Sequence, residues 1–151
     1  MAFSTDGEMA ALGFSDGSVQ LWDLTKNERI GGDWAAFNKN LGDIAVSPDK
    51  KTVVGVDADC NVKIYDIAGK KVLKEFQAHT GALNGVMMGP NGSRFATISG
   101  NNEVKLWSME DGKELRSWVL SSEPRNLAFS ADGKKLITAN GDGTLFVLTL
   151  P

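Results

Sequence analysis

The sequence predicts an all-β fold, a β-propeller segment of four four-stranded antiparallel blades. Three observations carry that reading. Four short apolar runs close on Trp22, Tyr65, Trp107 and Leu148, at intervals of 43, 42 and 41 residues. Two sets of turn residues recur at the same intervals: Asp6, Asp49, Asn91 and Asp132, then Asp16, Asp59, Asn101 and Asp142. No window shows the 3.6-residue periodicity of an amphipathic helix. Three markers in phase at this period are the signature of stacked supersecondary units.

The units divide the chain at about 1–38, 39–80, 81–122 and 123–151. Within each, local chemistry alternates short strands with tight turns. The first marker sits in Ser4-Thr5-Asp6-Gly7, Ser47-Pro48-Asp49-Lys50, Pro90-Asn91-Gly92 and Ala131-Asp132-Gly133. Proline presets φ there, and Gly or Asn accepts the left-handed region, so these are hairpin connections. The second marker, as in Asp16-Gly17 and Asp142-Gly143, is a two-residue hairpin signal between apolar runs. Strands are predicted near Leu41–Val46, Thr52–Asp57, Asn61–Asp66 and Lys71–Gln77 in the second unit. In the third they fall near Leu83–Met88, Arg94–Ser99, Glu103–Ser108 and Glu114–Val119.

Burial can also be read from the pattern. Ile44-Ala45-Val46 and Leu127-Ala128-Phe129 are apolar without alternation, which predicts sheets covered on both faces. The fourth strands carry Lys71, Lys74 and Glu75, or Glu114 and Arg116, which protects an edge turned to solvent. Sheets with two buried faces and one charged edge stack radially around an axis.

Bulk properties exclude several function classes. The 151 residues carry a net charge of −3 and 42% hydrophobic residues. That length buries roughly 70% of the unfolded surface, enough for one ordinary core. An acidic balance gives no footprint for nucleic acid or an anionic membrane. Cys60 is alone, so no intrachain disulfide forms, and the N-terminus has no basic-then-apolar leader pattern. A cytoplasmic protein is expected.

Val19-Gln20-Leu21-Trp22-Asp23, Ile64-Tyr65-Asp66, Leu106-Trp107-Ser108, Phe129-Ser130-Ala131-Asp132-Gly133 and Ala78-His79-Thr80-Gly81 resemble the motifs of the WD-repeat β-propeller family. The resemblance runs over essentially the whole chain. It implies a buried hydrogen-bonded group in each well-formed blade, here His79, Thr97, Asn101 and Trp107. Asn101 stands where the family has Asp, so the group should be weaker. Leu12 and Gly55 replace the hydroxyl in the first two units, and Leu148 replaces the tryptophan in the fourth.

Enzymatic chemistry finds no support in the residues. His79 is the single histidine, and no nucleophile or companion ligand sets accompany it. Asp57-Ala58-Asp59-Cys60-Asn61 opens like a calcium loop, but Val62 and Ala68 occupy the glycine and bidentate-glutamate positions. No metal or cofactor is expected. The resemblance implies instead an interaction scaffold that docks protein or peptide partners on one loop face. The candidate loop residues are Phe37, Asn38, Lys39, Asp59, Thr80, Asn102, Glu123, Arg125 and Asp142.

The first unit starts within its first strand and the fourth stops after its third, which would leave two blade faces bare. Homodimerisation into an eight-bladed ring would cover both. Pairing with another propeller segment, as in a fragment of a longer propeller, and self-closure as a four-bladed ring are the alternatives. A hydrolase or lyase built on the central funnel is the functional rival.

Overall fold

A computed structural model describes residues 1–32, 34, 35, 37 and 41–151, and among them every regular element is a strand. The first sheet holds β1 (Ala2–Phe3), β2 (Met9–Gly13), β3 (Ser18–Asp23) and β4 (Glu28–Arg29), with β5 (Trp34–Ala35) also paired to β3. The second is β6 (Leu41–Val46), β7 (Thr52–Asp57), β8 (Asn61–Asp66) and β9 (Lys71–Gln77). The third is β10 (Leu83–Met88), β11 (Arg94–Ser99), β12 (Glu103–Ser108) and β13 (Glu114–Val119). The fourth has three strands, β14 (Pro124–Phe129), β15 (Lys135–Asn140) and β16 (Leu145–Thr149). Every pairing within these sheets is antiparallel between strands consecutive in the chain, β3 with β5 excepted, so each is a meander blade. Strands of the second and third blades begin and end where the sequence places them. The outer strand of the first blade differs: it is broken into β4 and β5, with Gly31-Gly32 between them.

The recurring acids make the turns. Asp6, Asp49 and Asp132 accept hydrogen bonds from the hydroxyls of Ser4, Ser47 and Ser130, each at 2.6 Å. The same carboxylates take a backbone N–H two residues on, from Glu8, Lys51 and Lys134. Side chains of this length can mimic a backbone turn in that way. The second marker position precedes a left-handed residue in every blade: Gly17, Cys60, Asn102 and Gly143, with φ of 85°, 67°, 68° and 84°.

Register places equivalent residues on one face of each blade. The second blade turns Val54, Val56, Val62 and Ile64 toward the third, and they are at most 1% exposed. The third turns Ala96, Ile98, Val104 and Leu106 toward the fourth, all at 0%. The counterparts on the fourth blade include Leu145 and Val147, which are 68% and 58% exposed. Among the described residues three clusters, one per junction, therefore make up the core: first with second, second with third, third with fourth. Burying one such Val or Leu contributes about 1.5–3 kcal/mol, so the junctions dominate stability. Aromatic rings reinforce two of them, with Trp34 stacked on Tyr65 and Phe76 tilted on Trp107, both at 4.9 Å.

Phe37 overturns an expectation. Expected on the loop surface, it is 3% exposed and packed in the junction of the first two blades. A Cβ on Gly55 would lie 2.2 Å from its Cζ, so the glycine in mid-strand makes room for the ring. Asn38 and Lys39 lie outside the described residues.

Gly55→Ala should therefore lower unfolding stability by about 1–3 kcal/mol through overpacking. In a Phe37→Ala background the same change should cost less, which a double-mutant cycle by denaturant titration will measure.

Candidate functional site

Two features of the third blade are built from functional-type side chains: a buried polar relay and the rim of loops above it. The relay begins at Trp107 on β12, whose Nε1–H donates to Thr97 Oγ1 on β11 at 2.8 Å. Thr97 Oγ1 also lies 2.8 Å from His79 Nε2. His79 Nδ1 lies 3.0 Å from Glu103 Oε2. The partners assign the protons. Thr97 accepts from the indole, so its own hydrogen goes to Nε2, and Nδ1–H donates to the carboxylate. Thr97 and His79 are 0% and 2% exposed, so every polar atom here needs its partner.

Asn101 sits elsewhere than the resemblance implies. Its carbonyl oxygen accepts from Ser99 Oγ in a short contact, and its amide donates to Thr80 Oγ1 at 3.3 Å. Glu103, two residues on at the first position of β12, takes the acidic place beside His79. Sequence reasoning missed Glu103 because the turn marker drew attention to Asn101. The available signal was an uncharged residue at the marker with an acid two positions later.

The relay sets the charge state of its own members. Burial pushes the His79 imidazole below its ordinary value, against a smaller upward pull from Glu103. The hydrogen bond from His79 holds the Glu103 carboxyl below the usual range. A protonated His79 would aim a second N–H at Thr97 Oγ1, which already accepts from Trp107, and the hydroxyl hydrogen would lose its acceptor.

The other blades keep only parts of this group. In the first, Leu12 stands at the Thr97 position and Trp22 Nε1 is buried with no hydrogen-bond partner among the described residues. In the second, Phe37 over Gly55 substitutes an apolar contact, and Tyr65 takes the tryptophan place. Lys63, 3% exposed, lies 5.8 Å from the Phe37 ring centroid and 3.2 Å from Glu75. In the fourth, Thr138 Oγ1 is buried with no partner among the described residues, and the facing strand β16 carries Leu148 where the third blade has Trp107.

The rim is formed where the turns between second and third strands meet the connections between blades. Cys60 Sγ contacts the Gly81 carbonyl at 3.1 Å, and Gly100 N–H donates to the Ala82 carbonyl at 2.8 Å. Thr80 is exposed and tied to Asn101. Glu123 Oε1 accepts from Asn84 Nδ2 at 2.8 Å, and Glu123 Oε2 pairs with Arg125 at 2.9 Å. Thus Glu123 and Arg125 come together across a blade boundary with Asn84, a residue the sequence did not single out. Asp59 and Asp142 are exposed on their turns, and Asn102 is half-buried. Asp142 is held below the usual carboxylate range, chiefly by the Thr144 hydroxyl, so its charge already serves the turn.

Repeat register, turn chemistry and the relay agree with one comparison. The model of the family described as "WD domain, G-beta repeat" matches residues 1–23, 36–66, 70–108 and 114–147. The chain belongs to the WD-repeat family. Among similar WD-repeat relatives, "Protein groucho" of Drosophila melanogaster is 26% identical over 129 residues, covering 85% of this chain and 18% of that protein. "Transducin-like enhancer protein 2" of Mus musculus is 26% identical over 119 residues, covering 78% of this chain and 16% of that protein. The chain thus spans less than a fifth of the length of either relative.

Two outcomes test the relay. Trp107→Ala should cost about 3–5 kcal/mol of unfolding free energy, as buried aromatics do, and Leu148→Ala should cost less. Stability should also fall as the pH drops below the ordinary histidine value of 6.5. The unfolded imidazole takes up a proton there before the folded one does, and the loss levels off below the folded value. Since His79 is the single histidine, His79→Gln should flatten that part of the pH profile of chemical denaturation.

Proposed function

We propose that this WD-repeat chain is a non-enzymatic interaction scaffold that docks a protein or peptide partner on the rim carrying Thr80, Asn102, Glu123 and Arg125. The observation that carries the reading is the contrast between strands and loops. Third-strand positions repeat their register through four blades, while the rim above them changes from an Asn–Thr pair to an Asn–Glu–Arg cluster. Repeat scaffolds vary binding in this way, on loops fixed by a rigid frame. The similarity to WD-repeat relatives supports the same class. Nothing in the acids argues for catalysis, because Asp6, Asp49, Asp132 and Asp142 are occupied in their own turns.

Assembly is the second part of the proposal. The bare faces of the first and fourth blades cover each other in a homodimer, giving an eight-bladed ring in the cytoplasm. The exposed Leu145 and Val147, at positions buried in the inner blades, support it.

Light scattering should return twice the 16.2 kDa chain mass, and a folded monomer would contradict the dimer. Affinity capture should recover a partner with wild type and lose it with a folded Thr80→Glu/Arg125→Glu double variant. Recovery of nothing, or of the same proteins with both, would contradict docking at the rim.

A further inference from the structure

We propose that Asn91 is a site of spontaneous deamidation, which the fold singles out from two other Asn-Gly pairs and whose aspartate product the turn accepts. The proposal is independent of the rim and of assembly.

Three asparagines precede glycine in this chain: Asn84-Gly85, Asn91-Gly92 and Asn140-Gly141. Such pairs are open to attack by the chain on its own side chain, because glycine has no Cβ to block the approach. The glycine backbone nitrogen adds to the asparagine Cγ. A bond forms between them, the Cγ–Nδ2 bond breaks, and the nitrogen's proton leaves with Nδ2 as ammonia. Water then opens the five-membered imide. Breaking its bond to Cγ gives aspartate. Breaking its bond to the backbone carbonyl carbon gives isoaspartate, with the chain running through the side chain. Water is the one co-reactant.

In sequence the three pairs are alike, and the structure separates them. Asn140 is 7% exposed, and its Oδ1 is buried with no partner among the described residues. The negative charge that grows on this oxygen during attack would be buried and unpaired there. The nucleophile, Gly141 N, donates to the Glu123 carbonyl at 2.8 Å, at the end of the β14–β15 ladder. Asn84 lies in β10 beside buried Gly85, which is paired with Ile98. Its Nδ2 donates to Glu123 Oε1 at 2.8 Å. Losing that amide would set two carboxylates against each other.

Asn91 has the opposite surroundings. It is exposed, in the turn between β10 and β11. Ser93 gives its Oδ1 two donors, the backbone N–H at 3.1 Å and the hydroxyl at 2.8 Å. Donors already aimed at an oxygen that gains charge in the transition state lower the barrier. The nucleophile, Gly92 N, donates to the Gly89 carbonyl at 3.0 Å, within the same turn. Freeing it opens a turn rather than a strand, and exposed turns open at lower free energy than core strands.

The product also fits. Asp6, Asp49 and Asp132 hold the equivalent positions in the other three blades. Each accepts the N–H two residues on, as Asn91 does from Ser93. Aspartate at this position keeps that bond and strengthens it with charge. Isoaspartate lengthens the backbone by one atom before Gly92 and breaks the turn.

The test incubates the wild-type protein in mildly alkaline buffer, folded and in denaturant, and follows all three pairs by peptide mapping with mass spectrometry. In the folded protein Asn91 should convert about ten-fold or more faster than Asn84 and Asn140, the separation of a turn from a strand. In denaturant the three should convert at similar rates. Asn84 or Asn140 keeping pace with Asn91 in the folded protein would overturn the selection. So would an equal lead for Asn91 in denaturant, which would place the preference in the local sequence. Asn91 left intact in the folded protein, once the denatured chain has converted, would overturn the site. Asn91→Asp should unfold at the same denaturant concentration as wild type or a higher one, and a lower midpoint would overturn the fit of the product.

Discussion

The blades of this molecule carry apolar side chains on their faces, and those faces leave water by packing on the next blade. That constraint shapes the rest of the structure. It explains why the third strands carry Val19, Val62 and Val104 with Leu21, Ile64 and Leu106 at matched positions, all at most 1% exposed. It also explains why the core is three clusters in series rather than one centre. Stability in such an array is a sum of nearest-neighbour terms.

Polar satisfaction grades the blades a second time. Trp107, Thr97, His79 and Glu103 form a complete donor–acceptor chain with each proton accounted for. The second blade removes the problem by exchanging hydroxyl and imidazole for Gly55 and Phe37. The first and fourth blades each retain half: Trp22 Nε1 without a hydroxyl, Thr138 Oγ1 without an indole. Leaving such a group buried and unpaired costs roughly 1–3 kcal/mol.

Much of the fold was legible because period and turn chemistry are local. Asp or Asn followed by a left-handed residue marks the same hairpin in every blade, and strand bounds follow from it. What escaped depends on three-dimensional packing. Phe37 sits in a polar-looking stretch, and the one hint that it turns inward is Gly55 among valines. Glu103 looked like an ordinary first strand residue, because only the folded turn brings its carboxylate to His79. The division of the first outer strand into β4 and β5 follows from Gly31-Gly32, where the pattern of charges gave no boundary. Asn84 joined Glu123 and Arg125 through the contact of adjacent blades, which spacing along the chain does not encode.

The central claim is that the bare faces of the first and fourth blades are covered by association. The most direct measurement is the thermal midpoint of unfolding across an about hundred-fold dilution series, since any partner that binds only the folded state ties the midpoint to concentration. The account predicts a midpoint that rises with protein concentration, together with loss of that dependence in Leu145→Asp/Val147→Asp. A midpoint constant across the series in the wild-type protein would contradict it.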